Sequence, residues 1–142
     1  MSLANVRKIF ERKLAAAFED ESVPVVFDNV QEEPPTGPEA FYAIINITFP
    51  NVTTPVICRE EPMLTKVNGS IQVSLYGPRL TGMKRLEQLA EVAIKVLCKI
   101  GVDDDPDDVR PYCGEIAGPV SVLSGNGPMA LTVVSAPFTA RA

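Results

Sequence analysis

The residues best equipped for chemistry are the five carboxylates of Asp103-Asp104-Asp105-Pro106-Asp107-Asp108. Hard cations take carboxylate oxygens, so a Ca²⁺ or Mg²⁺ site is one reading of such a run. The EF-hand spacing is not met, because the sixth place holds Asp108 rather than Gly and the twelfth holds Gly114 rather than Glu. A solvated loop after a helix is the plainer reading. A further reading has Arg or Lys from a neighbouring subunit relieving the repulsion within the run.

Other catalytic vocabulary is sparse. The chain has no His and no Trp, which removes Ser-His-Asp and Cys-His chemistry, an imidazole base and any His-containing metal site. Cys58, Cys98 and Cys113 are an odd, scattered set without C-x-x-C spacing, so neither a zinc site nor a disulfide framework is indicated. Cys98 falls in an apolar helical pattern and is expected to be a small buried hydrophobe. Glu32-Glu33 and Glu60-Glu61 are adjacent pairs among prolines, and no Gly-rich segment has the Lys and the strand–loop–helix setting of a phosphate loop. The expectation is a non-enzyme that uses no cofactor. With 13 Lys+Arg against 18 Asp+Glu the formal net charge is -5, which argues against a protein that grips nucleic-acid backbone. No apolar run approaches the ~20 residues of a membrane span, and the first residues read as a charged amphipathic segment, so no membrane partner is expected.

The elements that must position these residues are legible from periodicity. Leu3, Val6, Ile9, Phe10, Leu14, Ala17 and Phe18 recur at helical spacing, with Ser2 as N-cap. Val23–Phe27 reads as a short strand, and 28–40 as a long acidic, Pro-rich loop. Phe41–Phe49 alternates cleanly, with Phe41, Ala43, Ile45, Ile47 and Phe49 on one side, and Pro50 is expected to end it. A second irregular stretch follows at about 50–64, with a short strand possible in pattern at Val56–Cys58. Thr65–Tyr76 alternates again, and Gly69 marks a bulge or bend. Thr81–Ile100 is the strongest helix, with Leu86, Leu89, Ala90, Ala93, Leu97 and Ile100 in its stripe, Thr81 as N-cap and Gly101 after its end. Two further strands are expected at Ile116–Leu123 and Met129–Pro137, joined by a turn at Ser124–Gly127. The order implies one α+β domain over 1–142: a mostly antiparallel sheet with two amphipathic helices packed on one face.

The second face of that sheet is unusual. Asn46, Thr48, Asn68, Ser70, Gln72, Ser74 and Thr132 are polar but uncharged, and Lys66 is the main exception. A solvent-facing sheet usually carries more Lys and Glu. A smooth, uncharged face suits contact with other subunits or the lining of a wide channel. An ordinary solvent face using Thr and Ser for their β-propensity is the competing reading.

The arrangement resembles the tail terminator (minor tail protein U-like) family of long-tailed bacteriophages. The resemblance rests on the N-terminal amphipathic helix, the Val26-Phe27-Asp28 strand exit, the Pro-rich loop before Phe41–Phe49, the long strand ending Leu75-Tyr76-Gly77, the Arg85–Ile100 helix and the terminal hairpin. It covers nearly the whole chain through size, element order and texture, without a signature motif. It implies a structural protein of the virion, made in the host cytoplasm, at the head-proximal end of the tail. Six copies would form a ring that caps the tail tube, ends its polymerisation and presents a surface to the head-completion or neck protein. Partners would thus be further copies of itself, the major tail tube protein and the neck protein, while DNA passes through without specific binding. The two irregular stretches fit segments that order on docking. Within such a ring, Arg79, Arg110 and Arg141 are candidates to meet Asp103, Asp104, Asp105, Asp107 and Asp108 of a neighbour. Asn46, Thr48, Asn68, Ser70, Gln72, Ser74 and Thr132 are the lumen or sheet-contact candidates. Another neck, head-closure or tail-completion protein is the nearest alternative, and a small metal- or ligand-binding enzyme subunit a more distant one.

Overall fold

Apolar residues three and four apart build two helices, each with one face buried. In α1 (Leu3–Asp20) the side chains of Val6, Ile9, Phe10, Leu14 and Phe18 are buried, while Lys8, Arg12 and Glu19 are exposed. In α2 (Lys84–Lys99) the buried set is Leu86, Leu89, Ala90, Ala93 and Leu97, with Ile100 following the last turn. Glu87 in its first turn and Lys99 in its last complement the helix dipole. Cys98 departs from expectation: it is exposed. One residue past Leu97 turns it ~100° out of the buried stripe, and apolar chemistry does not override that angle. The computed structural model describes residues 3–27, 41–53, 66–78, 84–100, 110–122 and 129–141. The expected caps Ser2, Thr81 and Gly101, the turn at 124–127 and the strand at 56–58 lie outside them.

Among the described residues six strands form one sheet: β1 (Val25–Phe27), β2 (Tyr42–Thr53), β3 (Lys66–Pro78), β4 (Arg110–Cys113), β5 (Ala117–Val122) and β6 (Met129–Arg141). Their order is β1-β2-β3-β6-β4, and β5 also pairs with β6. Only β1 with β2 is parallel; every other pair is antiparallel. The fold is therefore α+β, as the element order implied.

Two strands run past prolines expected to end them. β2 continues through Pro50 to Thr53. Its register to β3 goes from Thr48↔Ser70 to Asn51↔Asn68, so Phe49 and Pro50 together oppose Gly69. A bulge is one of the few places a strand tolerates proline, because the extra residue leaves the hydrogen-bond ladder. Gly69 belongs to this device. A Cβ there would collide with the Phe138 ring and the Thr48 carbonyl oxygen, so only glycine lets the three strands approach. Likewise β6 passes Pro137 and ends at Arg141.

The core lies between the helices and one sheet face. Ala43, Ile45 and Ile47 of β2, Val67, Ile71, Val73 and Leu75 of β3, and Val134, Ala136, Phe138 and Ala140 of β6 join the buried helix residues in one cluster. The Phe10 ring sits 4.7 Å from that of Phe138, and Phe49 meets Phe138 edge-on at 5.9 Å. The buried Phe10 and Phe138 rings each contribute roughly 1.5–3 kcal/mol through burial. Two arginines tie helices to their surroundings. Arg7 Nη2 donates to the Ile47 carbonyl at 3.0 Å, and its guanidinium lies 5.6 Å from the Phe49 ring centre. Arg85 donates to Glu21 Oε2 at 3.1 Å and to the Glu21 carbonyl at 3.0 Å, joining the start of α2 to the turn after α1. No helix among the described residues is long and apolar enough to cross a membrane.

Candidate assembly face

Because directly paired strand residues share a face, the register defines the side of the sheet away from the helices. Across β2, β3 and β6 it runs in rows: Tyr42–Tyr76–Leu131, Ile44–Ser74–Val133, Asn46–Gln72–Ser135 and Thr48–Ser70–Pro137. Beyond the bulge come Asn51–Asn68–Thr139 and Thr53–Lys66–Arg141, and β4 extends the last row with Arg110. Asn46, Thr48, Ser70, Gln72 and Pro137 are exposed.

Polar side chains on this face bond chiefly along it. Gln72 Nε2 donates to Ser74 Oγ at 3.3 Å, and Thr139 Oγ1 donates to Asn68 Oδ1 at 3.0 Å. Thr48 Oγ1 makes a long 3.5 Å contact with the Ser70 carbonyl. At one end Tyr42 and Tyr76 stack, with ring centres 4.8 Å apart and planes 8° from parallel. Burial, with charge repulsion from the neighbouring Tyr76 phenol adding to it, raises the Tyr42 phenol above its ordinary value. Further along β6 and β5, Val133 is half-buried and its partner Val120 is 57% exposed.

Six of the seven expected face residues stand here: Asn46, Thr48, Asn68, Ser70, Gln72 and Ser74. Ser74 is nonetheless only 5% exposed, in the row of Ile44 and Val133. Thr132 is a correction. It pairs with Leu75, a core residue, and is fully buried on the helix side. The alternation of β6 reads both ways, since Leu131 and Val133 are as apolar as Ala130 and Val134, and only the pairing fixes the phase. Strand alternation puts Tyr42 and Ile44 on this face, and only the register brings Tyr76, Leu131 and Val133 beside them as an apolar end. Tyr42 and Tyr76 are both visible in the sequence, yet their stacking follows from register.

Of the interface candidates, Arg79, Asp103, Asp104, Asp105, Asp107 and Asp108 lie outside the described residues. Arg110 and Arg141 are direct partners between β4 and β6, and Lys66 pairs with Arg141 from the other side. None of the seven described Asp and Glu residues falls in a strand, whereas Lys66, Arg110 and Arg141 do. The described carboxylates belong to α1 and its following turn, to α2 and to Glu115. Among the described residues, negative charge is thus kept off the strands.

Among the described residues no three His, Cys, Asp or Glu side chains come together in a way that would hold a metal ion. A shallow depression of about 390 Å³ lies between the end of α1 and β1, lined mainly by apolar side chains such as Val23, Val25 and Phe27, with Glu19 at its side. It lacks the convergent polar groups expected where a substrate is turned over.

No known family description and no curated protein matches the sequence. Fourteen solved chains are similar in fold. One of them aligns over 100% of this chain and 97% of its own length, with a TM-score of 0.67 and 16% sequence identity. At that identity the likeness establishes the fold alone.

Proposed function

We propose that this chain is a structural ring protein of a long-tailed phage, of the tail terminator type, six copies of which form the ring that the family resemblance implies. The ring caps the tail tube, stops its growth and offers a surface to the head. The observation that carries the reading is the sheet face away from the helices, which among the described residues is uncharged through its middle, free of carboxylates and closed at one end by an apolar patch. Such a surface suits neighbouring protein or a wide lumen better than bulk solvent. Sheet order supports it as well. β1 lies at one edge and β4 with β5 at the other, so two different edges are offered, as a head-to-tail ring requires.

Electron microscopy of the purified chain, alone and with isolated tail tubes, tests this. Six-fold rings with a central channel, seated at tube ends, are the expected result. Isolated monomers even in the presence of tubes would refute it. Tail length separates the terminator from another neck or head-closure component: loss of the protein gives overlong tubes in the first case and tubes of normal length in the second.

A further inference from the structure

We infer that Cys98 and Cys113 are a reversible thiol–disulfide pair, which a low-molecular-weight disulfide converts into a bond tying the end of α2 to β4. The inference does not depend on the ring reading, because the bond lies within one chain. Both thiols are free, with Cys98 exposed and Cys113 half-buried. Their spacing in sequence gives no sign of a pair, and it is the fold that brings them to one place.

Register settles which side of the sheet Cys113 occupies. It pairs with Phe138, a core residue, so its side chain stands on the face that the helices cover, against the rim of the core cluster. The course of α2 settles where Cys98 lies. Leu86, in the first turn, sits beside Gly77, and Gly77 pairs with Ala130 at the start of β6. β4 pairs with Phe138–Arg141, at the opposite end of β6. From Ala130 to Phe138 β6 advances about 27 Å at ~3.4 Å per residue. Between Leu86 and Cys98 the helix advances about 18 Å at ~1.5 Å per residue. Since α2 packs against β4 as well as β3 and β6, its last turn makes that contact, and Cys98 belongs to that turn. The two thiols also sense each other electrostatically: burial raises the Cys113 thiol to about 11, and Cys98 adds to the rise.

These positions assign an order of events. Exposed Cys98, as thiolate, attacks one sulfur of oxidised glutathione, forming a mixed disulfide and releasing one glutathione thiolate. Cys113 then gives up its proton to solvent and attacks Cys98 Sγ, expelling the second glutathione. Two protein thiols are oxidised and one small disulfide is reduced to two thiols. The reverse exchange, with glutathione in excess, reopens the pair.

Titration of the full-length chain with glutathione redox buffers at pH 8 tests this. After alkylation and digestion without reductant, mass mapping is expected to show Cys98 joined to Cys113 as the main product. The equilibrium constant for that bond is expected to be at least about tenfold larger in buffer than in unfolding concentrations of urea, because the fold holds the thiols together. Cys98→Ser is expected to abolish the bond, and Cys113→Ser to stop at the glutathione adduct on Cys98. A wild-type chain that stops at that adduct overturns the inference. So do bonds made chiefly through Cys58 or between chains, and an equilibrium no more favourable in the folded chain than in urea. Should Cys113→Ser fail to fold, the product map and equilibrium of the wild-type chain decide the matter alone.

Discussion

Thr132 is a fully buried threonine whose Oγ1 has no hydrogen-bond partner among the described residues. Leaving such a hydroxyl unmet costs roughly 1–3 kcal/mol. Thr132→Val keeps the shape and removes the polar atom, so it is expected to raise stability by about 1 kcal/mol, read from the denaturant midpoint. Cys113 gives a second residue-scale expectation. Burial, with the nearby Cys98 thiol adding, pushes its thiol from 9.0 up to about 11. A native pKa above the unfolded one means the folded chain holds a proton that the unfolded chain releases. The stabilisation is then complete below pH 9 and is lost as pH rises through about 11. Melting temperature measured from pH 8 upward is expected to fall across that window, and Cys113→Ser to flatten the fall. At pH 8 the exposed Cys98 is expected to react with iodoacetamide before Cys113, which peptide mass mapping resolves.

At the scale of elements, the bulge where Phe49 and Pro50 oppose Gly69 is the least forgiving point of the sheet. Gly69→Ala is expected to cost about 1–3 kcal/mol, measured by chemical denaturation, because both obstacles to its Cβ belong to packed strands. Pairing Gly69→Ala with Phe138→Leu is expected to recover only part of the loss, since the Thr48 carbonyl remains. This device also shows where the sequence was readable. Phe41–Phe49 and Lys66–Tyr76 alternate with the core on one side, so their phase was evident. Pro50 reads locally as a stop, and only the facing glycine converts it into a bulge. Arg110–Cys113 is four residues long with a proline inside, too short for any period, and it exists because β6 offers an edge to pair with. The candidate face was legible in its Asn, Ser, Thr and Gln residues. The alignment of Lys66, Arg141 and Arg110 was not, because residues 44 and 75 positions apart meet only through register.

For the molecule as a whole, segregation of charge is the property with consequences for assembly. The described acidic side chains sit on the helices, on the turn after α1 and at Glu115, while the described strands carry none. Gln72 lies exposed in the middle of that face. Gln72→Glu is expected to leave the melting transition of the isolated chain within about 0.5 kcal/mol of wild type, as exposed substitutions generally do. In a ring it adds one carboxylate per subunit to a surface otherwise without them, so ring occupancy on tail tubes, counted by microscopy, is expected to fall. Equal occupancy would mean that this face borders neither a neighbour nor a narrow lumen.

The position of β6 in the sheet has a bearing on biosynthesis. It lies between β3 on one side and β4 with β5 on the other, yet it is synthesised after all of them. While a ribosome is still translating it, α1, α2 and the β2–β3 pair can already meet, but β3 has an open edge and β4 and β5 have no partner. Unpaired strand edges invite association between nascent chains. Release of a chain stopped before Met129 is accordingly expected to yield an aggregating product, seen as loss from the supernatant on centrifugation, whereas a chain that includes β6 closes its own sheet.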